Sequence, residues 1–243
     1  MIDFTGKIAL VTGASIGIGR ATAVALARAG ADVGLGYRQD AEGAEETQRL
    51  VEAMGRKALP MQADVSFEEE AASLVERVAG HLGPVDILVN NAGWAKRQAM
   101  ETITGEHWDD VLRVNLKSAF LMIQAVLPHM QAESWGRIVN VSSGAARSGG
   151  LMGIHYSSAK AGLEGLTRAY ASRLVGEGIT VNAVAPMLIH TGEKRDNEAR
   201  KKLVPLGRQG TPEEVADAIV LCAGTEFMTG QTVHMSGGVY YGG

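Results

Sequence analysis

Lys7-Ile8-Ala9-Leu10-Val11-Thr12-Gly13-Ala14-Ser15-Ile16-Gly17-Ile18-Gly19 is the stretch that decides the fold. Lys7 to Thr12 is a short apolar run of the kind expected for a strand covered on both faces in a parallel sheet. Glycines follow at once, spaced G-x3-G-x-G, and Ile18 to Ala29 then reads as an Ala-rich helix stopped by Gly30. A glycine turn between strand and helix lets backbone N–H groups approach a pyrophosphate at the positive end of the helix. The spacing is not that of the G-x-G-x-x-G fingerprint, yet its place after the first strand and before a helix predicts dinucleotide binding.

Outward from that unit, strands and helices alternate. Ala31–Gly36 reads as a second strand, Ala41–Met54 as a helix, Lys57–Met61 as a third strand ending near Asp64, and Phe67–Leu82 as the next helix. Val85–Val89 is another buried-strand run and ends in Asn90-Asn91-Ala92-Gly93, small and amide residues that suit close approach of a ligand at a strand's carboxyl end. Gly105–Gln131 reads as one long helix with Asn115 inside it, an unfavourable interior residue unless its amide has a task. Arg137–Val141 is a fifth strand followed by Ser142-Ser143-Gly144, Ile154–Val175 a helix, and Ile179–Ala185 a sixth strand closed by Pro186. Met187–Gln209 is charged and irregular, with one helical stretch around Asp196–Leu203, and residues 187–210 form a candidate substrate lid. Pro212–Ala223 is a helix opened by Thr-Pro-Glu-Glu, and Gln231–Met235 a seventh strand.

At 243 residues and 46% hydrophobic, the chain can bury one substantial core, and residues 1–243 are expected to form a single α/β domain. A formal charge of -4 provides no general attraction to nucleic acid or to an anionic membrane. Cys222 is the only cysteine, so no internal disulfide forms. With no signal segment and no apolar run near the ~20 residues of a membrane span, the expectation is a soluble, cytoplasmic protein. The six histidines show no HExxH or Cys/His cluster, and no catalytic metal is expected. Ser143 lacks the G-x-S-x-G elbow of a hydrolase.

The chemistry gathers around Tyr156-Ser157-Ser158-Ala159-Lys160. On a helix, residues four apart share a face, so the Tyr156 hydroxyl and the Lys160 ammonium can share a site. A free tyrosine has a pKa near ~10, and a cation within a few ångströms favours its phenolate, which makes Tyr156 a candidate acid or base.

TGASIGIG (Thr12 to Gly19), Asp64-Val65, NNAG (Asn90 to Gly93), Asn115, Ser143, YSSAK and the segment led by Pro186 together resemble the short-chain dehydrogenase/reductase family over essentially the whole chain. That resemblance implies a doubly wound Rossmann-type fold, a seven-stranded parallel sheet with helices on both faces. It implies that Tyr156 protonates a carbonyl oxygen as hydride arrives from nicotinamide, that Ser143 holds that oxygen, and that Lys160 lowers the Tyr156 pKa and bonds the nicotinamide ribose. Asn115 would anchor a water through which Lys160 exchanges protons. On the cofactor side, Gly13, Ser15, Ile18 and Gly19 resemble the phosphate loop, Asp64 and Val65 the adenine pocket, Asn91 with Ala92 and Gly93 the adenosine-ribose side, and Pro186, Ile189 and Thr191 the nicotinamide end. Met187 stands where the family often has glycine, placing a bulky side chain at the substrate edge.

The end of the second strand sets the expected cofactor. An NAD-preferring enzyme of this kind places an acid there for the ribose 2′-OH. Here the position is Tyr37, followed by Arg38, whose guanidinium suits a 2′-phosphate, with Asp40 close enough to offset part of its charge. NADP(H) is expected rather than NAD(H). Trp94, Leu151, Met152, Met187 and Leu188 suggest a substrate with an apolar body. The nearest overall look is to bacterial 3-oxoacyl-[acyl-carrier-protein] reductases, but Glu133 and Glu177 stand where an acidic carrier would need basic docking residues. The expectation is therefore a free ketone or small 3-oxoacyl substrate, with the carrier-linked reaction as the alternative. An extended-type epimerase or dehydratase would need a larger C-terminal domain, and a non-catalytic dinucleotide sensor would usually lose part of the tetrad. The same resemblance, together with small and apolar residues on the helices of Asn115 and Tyr156, implies a homotetramer.

Overall fold

The computed structural model describes residues 2–150, 152–192 and 198–241. Seven strands are seen: β1 (Ile8–Thr12), β2 (Asp32–Tyr37), β3 (Ala58–Gln62), β4 (Ile87–Asn90), β5 (Gly136–Val141), β6 (Ile179–Pro186) and β7 (Thr232–Met235). They form one parallel sheet in the order β3-β2-β1-β4-β5-β6-β7. The helices are α1 (Gly17–Arg28), α2 (Ala41–Glu52), α3 (Glu68–His81), α4 (Gly105–Leu112), α5 (Ser118–Ala132), α6 (Ala145–Ser148), α7 (Ile154–Leu174), α8 (Glu198–Lys201) and α9 (Pro212–Gly224). The doubly wound fold expected from the sequence is thus observed.

Alternation along the strands divides the core in two. Ala9 and Val11 of β1 face one layer, with Leu26 of α1 and Ile219 of α9. Leu10 faces the other, with Leu74 of α3 and Met122 and Ile123 of α5. Being covered on both sides is why inner strands such as β1 and β4 read as mostly apolar runs rather than alternating ones. The strand order reverses between β1 and β4, and the loops leaving their carboxyl ends border the crevice where ligands of such sheets bind.

The long helix expected over Gly105–Gln131 is seen over Gly105–Ala132, with one irregularity inside it. Residues Arg113–Lys117 form a π-helical turn between α4 and α5, and the Ser118 N–H reaches back five residues to Arg113 O. Side chains explain the irregularity. Asn115 Nδ2 donates to Val111 O at 3.1 Å, and the Ser118 hydroxyl donates to Val114 O at 2.6 Å, so each takes a carbonyl that an α-helix would give to a backbone N–H. The whole segment Gly105–Ala132 is also long and apolar enough, by length and composition, to cross a bilayer, contrary to the sequence reading. Here Met122, Ile123, Val126 and Met130 are spent covering the sheet.

Candidate active site

At the carboxyl ends of β1 and β4, Thr12 joins the two strands. Its hydroxyl accepts from the N–H groups of Asn91 (3.0 Å) and Ala92 (2.9 Å), while Asn91 Nδ2 donates to the carbonyls of Thr12 (2.9 Å) and Gly13 (3.1 Å). Asn91 is therefore seen as a tie between the NNAG segment and the glycine loop. Gly13 takes a left-handed φ of +66°. Gly19 is required for another reason: a Cβ there would lie 2.1 Å from Gly13 O and 2.6 Å from Asn91 Nδ2. Two residues that the sequence reading missed brace the loop from behind. Arg20 donates to Ser15 O (3.0 Å from Nε, 2.5 Å from Nη2) and to Gly43 O (3.2 Å), and the Thr47 hydroxyl donates to Ala14 O at 2.9 Å. The loop carbonyls are held from behind, and the first turn of α1 is left to present its N–H groups, which have no intrahelical acceptor. An arginine in the first turn of the Ala-rich helix α1 was the available signal.

Gly13, Tyr37, Arg38, Asp64, Val65, Ala92 and Gly93, all predicted cofactor residues, line one crevice of about 150 Å³ together with Trp94. Arg38 Nη1 stands 3.9 Å from Asp64 Oδ2. Asp40, expected to offset Arg38, instead caps α2 by accepting from Gly43 N–H at 2.9 Å, as an acid before a helix prefers to do; Asp64 is the carboxylate that faces Arg38. A larger groove of about 550 Å³ lies between α1 and α9 and borders Thr191; none of the four predicted catalytic side chains lines either cavity. The smaller crevice is the one at the carboxyl ends of the strands, where the predicted dinucleotide residues gather beside the Gly93 turn.

The four catalytic candidates come from three places in the fold. Tyr156 and Lys160 lie on α7, Ser143 follows β5, and Asn115 sits in the π-helical turn. Lys160 is buried, with Nζ donating to Val141 O at 2.8 Å and lying 5.8 Å from the Tyr156 ring centre. Burial pushes its pKa down to about 8. Asn115 Nδ2 donates to Trp94 O at 3.0 Å, and its Oδ1 is buried with no partner among the described residues. A Cβ on Gly93 would meet Asn115 Oδ1 at 2.7 Å and Lys160 Nζ at 3.5 Å, so an orphan acceptor and an ammonium border one spot beside the crevice. The ammonium fits a ribose hydroxyl of a dinucleotide, and the orphan acceptor fits a water beside it. Ser143 Oγ accepts from Ala145 N–H at 3.2 Å, leaving its own proton for a substrate oxygen.

On the substrate side, Met187 packs on Gly144, beside Ser143, and Leu188 takes a φ of +55°, an uncommon conformation for leucine. Ile189 bridges to Gly210, and the Thr191 side chain lies against Gly17, bringing the predicted nicotinamide end to the glycine loop. Met152 accepts Gln98 N–H through its carbonyl and Trp94 is exposed at the crevice. Leu151 lies outside the described residues, as do residues 193–197 of the predicted lid and of its expected helix, which is seen as Glu198–Lys201.

The depressed Lys160 pKa has two consequences of opposite sign. Between about pH 8 and the ordinary value of 10.5 the unfolded chain holds the proton that the folded one has released, so this group adds stability as pH rises through that window. Activity moves the other way. If the ammonium is the working form, kcat/KM for the dinucleotide falls above about pH 8, toward tenfold per unit. A flat profile across that range would contradict the role.

Residues 13–240 match the family described as Enoyl-(Acyl carrier protein) reductase. The chain is 41% identical to the 3-oxoacyl-[acyl-carrier-protein] reductase FabG of Pseudomonas aeruginosa, over 98% of its own length and 99% of the relative's. It is 38% identical to the 3-oxoacyl-[acyl-carrier-protein] reductase of Synechocystis sp., with 98% and 99% covered. A crystal structure assigned as a short-chain alcohol dehydrogenase from Sinorhizobium meliloti 1021 superimposes with a TM-score of 0.92 at 36% identity, covering 98% of this chain and 97% of that one. Fold and site thus define a dinucleotide-dependent oxidoreductase class. The chain belongs to the short-chain dehydrogenase/reductase family, as its motifs indicated.

Proposed function

We propose that this protein reduces the ketone of a small 3-oxoacyl compound or free carbonyl substrate with NADPH. The observation that carries the reading is that buried Lys160 Nζ and Asn115 Oδ1, which has no partner among the described residues, border one spot beside Gly93. A bound nicotinamide would supply the hydride. The chain's own residues do the rest: the Tyr156 hydroxyl gives its proton to the substrate oxygen, and the Ser143 hydroxyl donates a hydrogen bond to that oxygen. Lys160 holds the ribose and supports Tyr156 electrostatically, and Asn115 Oδ1 holds a water that returns the proton. Gly13, Ser15, Ile18, Gly19, Asp64, Val65, Ile189 and Thr191 would hold the dinucleotide.

Arg38, facing the crevice at the end of β2, supports NADP(H). A charge-assisted contact to the 2′-phosphate is worth about 1.5–3 kcal/mol, so Arg38→Ala lowers the NADPH-to-NADH ratio of kcat/KM by about tenfold or more. An unchanged ratio would remove Arg38 as the discriminator.

The names of the relatives favour a second reading, the carrier-linked 3-oxoacyl substrate. Against it, Glu133 is exposed and Glu177 accepts from Gln131 Nε2 at 2.8 Å, so the surface beside α5 and the end of α7 carries acids where an acidic carrier would need cations. Comparable rates with carrier-linked and small-thioester 3-oxoacyl substrates support the first reading; a strong carrier preference overturns it. We further propose one domain over 1–243 and a lid at 187–210, whose two ends are joined by His190 N–H to Gly210 O and Gly210 N–H to Leu188 O. A homotetramer is supported by Phe120, exposed on α5; a monomeric mass in solution scattering would contradict it.

A further inference from the structure

We propose that Arg147 and Glu164, neither of which belongs to the predicted site, form a positioning pair that sets the Ser143 hydroxyl against Tyr156; this rests on the catalytic reading above. Glu164 lies on α7 one turn beyond Lys160, and its side chain is only 2% exposed. One of its oxygens, Oε1, accepts from Ser142 Oγ at 3.2 Å, and the other, Oε2, accepts from Arg147 Nε at 2.8 Å. Ser142 precedes Ser143, and Arg147 follows it on α6, so a single carboxylate holds both flanks of the segment that carries the serine. Nearby contacts work in the same sense. Lys160 Nζ holds Val141 O at 2.8 Å, and Ser142 Oγ also lies 3.2 Å from Lys160 O. The chain from Val141 to Arg147 is thereby registered against the helix that carries Tyr156 and Lys160.

Energetics favour a positional role over a stabilising one. Taking a carboxylate out of water is expensive, and a buried ion pair is often no more stabilising than apolar residues of the same volume. Arg147 is also 40% exposed at its side chain, which weakens its return on the pair. What an apolar pair could not supply is direction: two oxygens that receive donors from opposite sides of Ser143. Misplacing a reacting group by about 1 Å can lower turnover about a hundredfold.

The test uses Arg147→Met/Glu164→Leu, which removes both charges together and leaves no buried carboxylate unpaired. The expected result is a kcat lower by about ten- to a hundredfold, with the dinucleotide Kd, read from protein fluorescence, within about twofold of the parent's, since no assigned dinucleotide contact is removed. Ser143→Ala is then made in both backgrounds. If the pair acts through Ser143, that substitution lowers kcat far less in the double variant than in the parent, because residues acting as one unit are not additive. Full turnover in the double variant, or losses that simply multiply, would overturn the proposal. Should the double variant melt well below the parent, Glu164→Gln, which keeps size and an acceptor for Ser142, is carried through the same two backgrounds and judged by the same outcomes. An inactive parent, or a parent indifferent to Ser143→Ala, would instead count against the catalytic reading itself.

Discussion

Tyr156→Phe lowers kcat by about two to four orders of magnitude, the range that a positioned proton donor contributes, while the dinucleotide still binds. The substitution keeps the ring, and with it the packing beside Lys160, whose Nζ lies 5.8 Å from the ring centre. It removes only the O–H that the proposed mechanism has Tyr156 give to the substrate oxygen. The residual rate would come from the Ser143 hydrogen bond and from orientation, which survive. Stopped-flow measurement of a single turnover, together with a dinucleotide titration, separates the two effects. Turnover equal to the parent's would end the assignment of Tyr156 as acid.

The second large effect lies at the other end of the site. Gly19→Ala weakens dinucleotide binding by about thirty- to a hundredfold, because a Cβ placed 2.1 Å from Gly13 O and 2.6 Å from Asn91 Nδ2 forces the loop apart, and overpacking of this sort costs about 2–3 kcal/mol. Neither neighbour can yield easily, since Asn91 is bonded to both Thr12 and Gly13 carbonyls. Gly80→Ala on α3 is the control. It is exposed, a Cβ there meets nothing within 4 Å, and removing a helical glycine adds about 0.5–1 kcal/mol of stability without touching binding. Isothermal titration of both variants, with thermal melts to confirm folding, decides it; parental affinity in Gly19→Ala would show that the glycine loop is not the phosphate cradle.

The difference between Gly19 and Gly80 shows what could be read from the chain and what could not. Strand runs such as Ile8–Thr12 and Ile179–Pro186 were legible because burial on both faces makes them mostly apolar, with Thr12, Thr180 and Asn182 as buried exceptions. The glycine loop, NNAG and the YSSAK turn were legible because each uses few residue types at fixed spacing. The π-helical turn at Arg113–Lys117 was not, since it arises when the Asn115 and Ser118 side chains compete for particular carbonyls, a contest that periodicity does not register. Asp40 was misassigned for a related reason: sequence proximity to Arg38 suggested a charge pair, whereas its capping bond to Gly43 turned it to α2 and left Asp64, distant in sequence, to face the arginine. Arg20, Thr47, Arg147 and Glu164 escaped notice because their partners are backbone carbonyls or side chains brought near only by the fold.

The measurement that bears most directly on the whole account is a stoichiometry: purified protein, NADPH and a small 3-oxoacyl thioester, with dinucleotide consumption followed by absorbance and the organic product identified by mass spectrometry. Hydride transfer to a ketone predicts one 3-hydroxyacyl product for each NADPH oxidised, with Tyr156→Phe nearly silent in the same assay. Saturable NADPH binding with no oxidation, across a panel of ketones and thioesters that includes a carrier-linked one, would contradict it and leave a dinucleotide-binding protein that does not catalyse.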